Sequence, residues 1–309
     1  MPADGGHTPV LLEEAVQALD YSVDGAFVDC TFGRGGHSRA MLARMGDNAR
    51  LLALDKDPQA IATGQELASR DRRFEIIRSS FSELAEVAGE ELCGIPVRGV
   101  LFDLGVSSPQ LDDPSRGFSF QHDGPLDMRM NPDTGLSAAE WLAASSESEL
   151  ARVLRDFGEE RHARRIARVI VRERKLSPVD TTARLASIIS SAVPSRERGK
   201  HPATRSFQAI RIRVNEELEQ LRKGLESATG LLAPGGRLVV ISFHSLEDRC
   251  VKWFIRDEAN PDTGPFPVPV TQSPARLKSV GKPVRPTAHE CDDNVRARSA
   301  VMRVAEKLS

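Results

Sequence analysis

The first third of the chain alternates short apolar runs with amphipathic stretches. Ala26-Phe27-Val28, Leu51-Leu52-Ala53-Leu54, Phe74-Glu75-Ile76-Ile77 and Val97 to Leu104 read as strands. The Val100-Leu101-Phe102 run implies burial on both faces of a sheet. Between the strands, apolar positions recur at helical spacing. Leu11, Leu12, Ala15, Val16 and Leu19 follow Thr8-Pro9, a hydroxyl cap with proline at the first helical position. Asp57-Pro58 repeats that start and predicts a helix burying Ile61 and Leu67, and Ser82 caps a short helix through Leu92. Strands alternating with helices at this spacing predict an α/β fold with a parallel, doubly wound sheet.

The alternation then stops. Gly105 to Met130 reads as loop, and from Leu136 onward the pattern is helical. Ser137 and Glu140 form a capping box, with Trp141 and Leu142 as core candidates. A helix from about Glu159 to Lys175 places Arg161, Arg164, Arg165, Arg168 and Arg172 on one face and Ala163, Ile166, Ala167 and Ile170 on the other. Val214, Leu218, Leu221, Leu225 and Ala228 predict one long amphipathic helix. Pro234-Gly235-Gly236 leads into a strand from Arg237 to Phe243, and Ser245-Leu246-Glu247-Asp248 caps a further helix. Residues 259–295 hold seven prolines and read as extended or loop, and Ala300 to Val304 makes a closing strand. The expected organisation is a sheet domain in two parts, 1–111 and 214–309, interrupted by an all-helical insertion, 112–213. Ligands of open α/β sheets sit beyond the carboxyl ends of the strands. An insertion leaving the fourth strand is therefore expected to overhang the ligand crevice.

Composition adds a compartment and a partner. With 309 residues, 28% charged and 40% hydrophobic, the chain is an ordinary globular sequence with no run able to span a bilayer. The N-terminus lacks a signal pattern. Cys30, Cys93, Cys250 and Cys291 are far apart, with no Cys-x-x-Cys, so reduced thiols in a cytoplasm are expected and neither zinc nor disulfides. The net charge of −2 conceals fourteen basic residues against three acids between Arg161 and Arg213. A basic block inside an acidic chain points to a polyanion, and the scarcity of acids there argues for phosphate contact over salt-bridge lacing.

The candidate chemistry lies at Asp29-Cys30-Thr31-Phe32-Gly33-Arg34-Gly35-Gly36-His37, between the first strand and the next helix. Glycines there let a ligand approach bare backbone at a helix start. Asp55, ending the second strand, is placed to hold a ribose diol. A dinucleotide would require glycine where Ser38 stands, and Asp29 would repel a pyrophosphate. No Gly-Lys-Ser/Thr is present, so P-loop chemistry is excluded. A nucleoside carrying a sulfonium or ammonium fits these residues, and S-adenosylmethionine is such a ligand.

Thr31-Phe32-Gly33-Arg34-Gly35-Gly36-His37-Ser38, Phe102-Asp103-Leu104-Gly105-Val106-Ser107-Ser108, Arg116-Gly117-Phe118-Ser119-Phe120, Asp123 to Met130, His201-Pro202-Ala203-Thr204-Arg205 and Ser242 to Arg249 resemble, in this order, the signature blocks of the RsmH (MraW) family. The resemblance implies a Rossmann-like class I S-adenosylmethionine methyltransferase sheet. The implied target is the N4 amine of a decoding-centre cytosine, position 1402, in 16S rRNA of the small ribosomal subunit. It further implies that Gly35, Gly36, His37, Asp55, Phe81, Asp103 and Gln110 contact the cofactor. Acceptors for the amine protons are sought at Asp103, the Leu104 carbonyl, Ser107 or Ser108, with His244 an alternative base. Phe118, Phe120 or Phe243 are candidates to stack on an unstacked base. The RNA backbone is expected on Arg161, Arg164, Arg165, Arg168, Arg172 and Arg205. No metal or membrane is expected, and the oligomeric state is left open, a homodimer included. Two competing readings are a non-catalytic RNA-binding or ribosome-assembly factor on the same fold, and a dehydrogenase.

Overall fold

The computed structural model describes residues 9–193, 201–261 and 274–308. Thr8 and the basic residues Arg196, Arg198 and Lys200 lie outside these ranges, as do Pro265, Pro267 and Pro269. The chain divides into two compact units, Met1–Gly105 with Leu218–Ser309, and Val106–Glu217.

In the first unit, α1 (Leu12–Ala18), β1 (Ala26–Asp29), α2 (Gly36–Leu42), β2 (Arg50–Asp55), α3 (Pro58–Ala68), β3 (Phe74–Arg78), α4 (Leu84–Glu91) and β4 (Val97–Asp103) follow one another. Helix α1 begins later than Thr8-Pro9 suggests. Leu11 turns into the left-handed region at φ 54° and gives its N–H to Glu290 Oε1 at 2.7 Å. Asp57 caps α3 as expected, accepting from Gln59 N. The fully buried residues of α3 are Ala60 and Gly64, where a Cβ would stand 2.2 Å from Ile76 Cδ1, while Ile61 and Leu67 are half-buried and Leu67 packs against the core. Ser80, not Ser82, caps the 3-10 turn Phe81–Glu83 that precedes α4.

The helical unit holds α5 (Ser108–Asp112), α6 (Ala138–Ala144), α7 (Glu147–Gly158), α8 (Ala163–Glu173), α9 (Thr182–Ala192) and α10 (Thr204–Asn215). The unit runs from Val106 to Glu217, beyond the expected 112–213, and Val106, Leu111 and Val214 pack against its core, to which the stretch read as loop also contributes Phe118, Leu126, Met128 and Met130. Asn215 fixes that stretch, its Oδ1 accepting from Met130 N at 2.8 Å and its Nδ2 donating to Met128 O at 2.7 Å. The Ser137–Glu140 capping box forms, and Trp141 and Leu142 are buried. The long helix expected from Val214 is two helices, because Glu216 adopts φ 52° and ends α10.

The chain returns to the first unit through α11 (Glu217–Leu231), then runs through β5 (Leu232–Ser242), α12 (Ser245–Ala259), β6 (Leu277–Ser279), α13 (Ala288–Asp293) and β7 (Val301–Lys307). Strand β5 takes in Pro234-Gly235-Gly236, which shift its register against β4 between Val97 and Gly99. His244, one residue before the expected Ser245, caps α12 in a box with Glu247. The proline-rich stretch, as far as it is described, contains β6 and α13.

Seven strands form one sheet in the order β3-β2-β1-β4-β5-β7-β6. The first five are parallel and β7 and β6 are antiparallel. One buried cluster runs along the α1 and α2 side (Leu11, Phe27, Met41, Leu101, Ile241) and another along the α4 and α11 side (Leu52, Leu84, Phe102, Leu225, Val240). The chain order reverses between β1 and β4, the switch point where open α/β sheets bind ligands beyond the strands' carboxyl ends.

Candidate active site at the strand ends

Four neighbouring parallel strands, β2, β1, β4 and β5, end at this edge in Asp55, Asp29, Asp103 and Ser242. Asp29 is 1% exposed. Its Oδ2 accepts from Ser38 Oγ at 2.6 Å and its Oδ1 from Thr31 N at 3.1 Å. Burial pushes its pKa up to about 6, with Ser38 and Thr31 opposing. The sequence offered Asp29 to a cationic ligand and Ser38 only as the residue that rules out a dinucleotide. The structure pairs the two with each other.

The glycine loop is built from both strands. Gly33 donates to Asp55 Oδ2 at 2.8 Å, and Asp57 N donates to Asp55 Oδ1 at 2.9 Å. Burial raises the Asp55 pKa against these bonds. The Lys56 backbone N–H is a third donor, so the carboxylate keeps about one of its four acceptor positions for a ribose hydroxyl. Gly35 sits at φ 72°, and a Cβ there would meet the Phe32 ring at 2.5 Å. A Cβ on Gly36 would meet Pro9 Cγ at 2.2 Å. These two glycines therefore have packing reasons of their own at the start of α2, under Phe32 and Pro9.

His37, buried in the first turn of α2, places Nδ1 3.5 Å from Asp103 Oδ2. Burial lowers its pKa to about 4, with a Val10 backbone bond opposing, so the imidazole is neutral at neutral pH. Asp103 keeps a quarter of its side-chain surface exposed, yet its Oδ1 is buried without a hydrogen-bond partner. Its backbone N–H donates to Thr31 Oγ1 at 2.6 Å, which ties the end of β4 to the loop after β1. Burial, then the charges of Asp29 and Glu247, hold the Asp103 carboxyl well above the usual carboxylate range. His37 Nε2, Ser242 Oγ and His244 Nε2 are likewise buried and unpartnered. His244 Nε2 lies 3.0 Å from Glu247 Oε1, but without hydrogen-bond alignment. Glu247, 2% exposed, takes the Phe243 N–H at 2.8 Å on Oε2. Phe81, half-buried after β3, stands edge-on to Phe102 with centroids 5.5 Å apart.

Thr31, Ser38 and Glu247 are the polar groups of this edge to which the sequence reading gave no role there. Glu247 was visible only as part of a helix start. The pairings of Thr31 and Ser38 join residues that no local pattern links.

In the helical unit, Ser107 caps α5, and its N–H donates to Gln110 Oε1 at 2.9 Å. Gln110 and Ser107 thus serve one capping box, with Ser108 the first residue of the helix. Phe118 is a core residue, with Arg116 over its ring. Phe120 packs on His201 and Phe207.

Arg161, Arg164, Arg165, Arg168 and Arg172 are all exposed. Salt-bridge lacing, argued against from the sequence, does occur. Arg168 lies 3.7 Å from Glu147, Arg172 2.8 Å from Glu173 and Arg213 3.9 Å from Glu149. Glu147 and Glu149 belong to α7, which packs on α8, so acids distant in sequence share the surface. Other basic residues brace the backbone: Arg174 donates to the Leu142 and Ser145 carbonyls, and Arg205 to Glu159 O at 3.3 Å. Arg161, Arg164 and Arg165 show no ion pair among the described residues. No helix among those residues is long and apolar enough to cross a membrane.

A sheet in this order, with an antiparallel β7 and a glycine loop after β1, is the Rossmann-like core of a class I S-adenosylmethionine methyltransferase. More particularly, the chain belongs to the MraW methylase family, whose family model matches residues 4–308. It is 56% identical to ribosomal RNA small subunit methyltransferase H of Nitrosococcus oceani, over 97% of this chain and 96% of that protein. It is 57% identical to the protein of the same name from Thioalkalivibrio sulfidiphilus, over 98% of each chain. Among solved structures, an rRNA methylase from Streptococcus thermophilus is similar at a TM-score of 0.43 and 12% identity, over 96% of this chain and 94% of that one.

Proposed function

We propose that this methylase transfers a methyl group from S-adenosylmethionine to the N4 amine of cytosine 1402 in small-subunit rRNA, acting in the cytoplasm. Support for the substrate class comes from the names of the relatives at 56% and 57% identity. The observation that carries the chemistry is Asp103 Oδ1, a buried acceptor without a partner at the sheet's switch point. Buried polar atoms are seldom left unpaired, so such an atom at a strand end argues for a ligand or reacting group.

Asp55 would hold the ribose hydroxyls, the backbone at Gly35 and Gly36 would lie beside the cofactor, and Phe81 would flank the adenine. Gln110 is proposed as a further contact of the cofactor. S-adenosylmethionine, when bound, supplies an electrophilic methyl on a sulfonium whose positive charge suits an edge lined by Asp29, Asp55 and Asp103. The amine nitrogen is a poor nucleophile because its lone pair is conjugated into the ring, so it must be held in line and relieved of a proton. Asp103 is the proposed acceptor. Its raised pKa moves it toward the range where a carboxylate takes a proton efficiently. Ser107 is already committed to the α5 cap, which leaves it and Ser108 the role of shaping the loop. Neutral His37 beside Asp103 keeps a second proton out of the site.

The target base must leave its stack to reach the site. The proposed phosphate footprint is the α8 face at Arg161, Arg164, Arg165, Arg168 and Arg172, with Arg205 nearby in the same unit.

Transfer of tritium from labelled S-adenosylmethionine into 30S particles, with nuclease mapping, tests the assignment. Label at one cytosine is expected. No incorporation into rRNA retires the enzyme reading in favour of an assembly factor, and calorimetry with S-adenosylhomocysteine against NAD separates it from a dehydrogenase.

A further inference from the structure

Helix α12 leaves the sheet directly after β5, so its first residue adjoins His244 at the strand ends. Its inner face is set by Glu247, Val251 and Ile255, all buried. The opposite face presents Arg249, Lys252, Trp253 and Arg256, all exposed. At 3.6 residues per turn these four share one stripe, which Asp257, four residues after Trp253, borders on one side. Asp248 is drawn aside by Arg303 at 2.7 Å, while Asp257 pairs with Arg256 at 2.7 Å. The stripe is therefore cationic on balance.

Trp253 is out of place for a solvated helix face. It is 48% exposed, whereas the chain's other tryptophan, Trp141, is 5% exposed and in the helical core. Among the described residues the other large exposed hydrophobics are aliphatic: Val23, Leu136, Leu176 and Val295. An exposed indole flanked by cations at helical spacing has the parts of a single-strand binding platform. The ring stacks on a base, and the cations follow the phosphates. A second copy of the chain fits poorly, because a two-fold contact through this stripe would bring Arg249, Lys252 and Arg256 against their own counterparts.

We infer that the outer face of α12, Arg249, Lys252, Trp253 and Arg256, is a second RNA contact in which Trp253 stacks on an unpaired base next to the target. This rests on the rRNA substrate proposed above and adds a surface separate from the α8 arginines. At 1.5 Å per residue, Trp253 lies about 14 Å along the helix from His244. The base it receives is thus a neighbour of the methylated one, not the methylated one itself. The contact serves substrate affinity and register, not the chemical step.

The test uses the full chain and three variants, Trp253→Leu, Trp253→Phe and Lys252→Glu. Steady-state methyl transfer is measured into 30S particles, and binding to a short fluorescein-labelled single-stranded RNA across a salt series. Trp253→Leu is expected to raise KM for the particles by about tenfold with kcat unchanged, the loss of one base–aromatic stack. Trp253→Phe, which keeps a ring, restores most of that loss. Lys252→Glu lowers the slope of log affinity against log salt by about one. Melting temperature and S-adenosylhomocysteine affinity stay at wild-type values in all three, which separates a lost contact from a damaged fold. Unchanged KM and RNA affinity in Trp253→Leu overturn the inference. So does a wild-type dimer by light scattering that Trp253→Leu dissociates, since the face would then seat a second copy. If the wild type binds the RNA through Trp253 but labels no particle, the proposed reaction fails and this contact stands.

Discussion

His37 Nδ1 lies 3.5 Å from Asp103 Oδ2, and the second polar atom of each side chain, Nε2 and Oδ1, is buried without a partner. The two residues come from the start of α2 and the end of β4. They meet because β1 and β4 are adjacent parallel strands ending at one edge. Burial moves their titrations in opposite directions, the imidazole down to about 4 and the carboxyl up.

The pH dependence of stability should expose His37. Its folded-state pKa of about 4 lies below the ordinary histidine value of about 6.5, so the unfolded chain binds more protons between the two. The contribution of neutral His37 is full above about pH 6.5 and is lost as pH falls toward 4. Relative to His37→Gln, wild-type stability should fall by about 3 kcal/mol across that window, from 1.36 kcal/mol per unit. Urea melts of both proteins at pH 4 and pH 7 measure the difference.

Asp29 should give the opposite slope. Its folded-state pKa of about 6 exceeds the ordinary aspartate value of about 3.8. The stability it lends is therefore full below the unfolded value and is lost as pH rises through about 6. Asp29→Asn removes this dependence, so the variant should gain on wild type between pH 4 and pH 7 by about 2–3 kcal/mol. A constant difference between the two proteins over that range would contradict the burial of Asp29.

Asp103→Asn keeps the size of the side chain and removes the proton acceptor. Methyl transfer should fall by roughly two to four orders of magnitude, the usual worth of a general base. S-adenosylhomocysteine binding, followed by calorimetry, should change far less. Equal losses in both assays would make Asp103 a cofactor ligand only.

Reversing Arg164, Arg165 and Arg168 to glutamate should weaken RNA binding uniformly across sequences and flatten its salt dependence, with cofactor binding intact. Loss of the exposed Arg168–Glu147 pair adds at most about 1 kcal/mol to the change in stability. Salt-insensitive, unchanged RNA affinity would remove α8 from the footprint.

Asn215→Ala should destabilise the helical unit by about 2–4 kcal/mol, because the Met130 N–H and Met128 carbonyl lose their buried partner. Met128 sits at φ 63°, so the segment has little freedom to find another. Thermal melts report the loss.

Strands β1 to β5 and β7 were legible because each contains a short apolar run near turn residues, whereas β6, Leu277–Ser279, lies in the proline-rich stretch read as extended or loop. Asp57-Pro58 and the Ser137–Glu140 box were legible because capping chemistry lies within four residues. Boundaries failed where a distant residue decides them. Helix α1 starts after Leu11, whose N–H goes to Glu290, and α10 breaks at Glu216, where the pattern of apolar residues continues without a signal. The α8 arginines were readable as a face, but the acids near them were not, since Glu147 of α7 reaches Arg168, and Glu149 reaches Arg213 of α10, only through helix packing.

By itself, the sequence determined the alternation of strands and helices, the glycine loop with Asp55 in register and, through its motif blocks, the family. Those features are local or follow from order along the chain. Only the tertiary structure decided which polar atoms are satisfied. Asp29 is taken by Ser38 and Thr31, while Asp103 Oδ1 and His37 Nε2 are left unpaired. The reason is physical: hydrogen-bond satisfaction and desolvation depend on everything surrounding a group in space. At the carboxyl edge of a parallel sheet, those surroundings come from strands far apart in the chain.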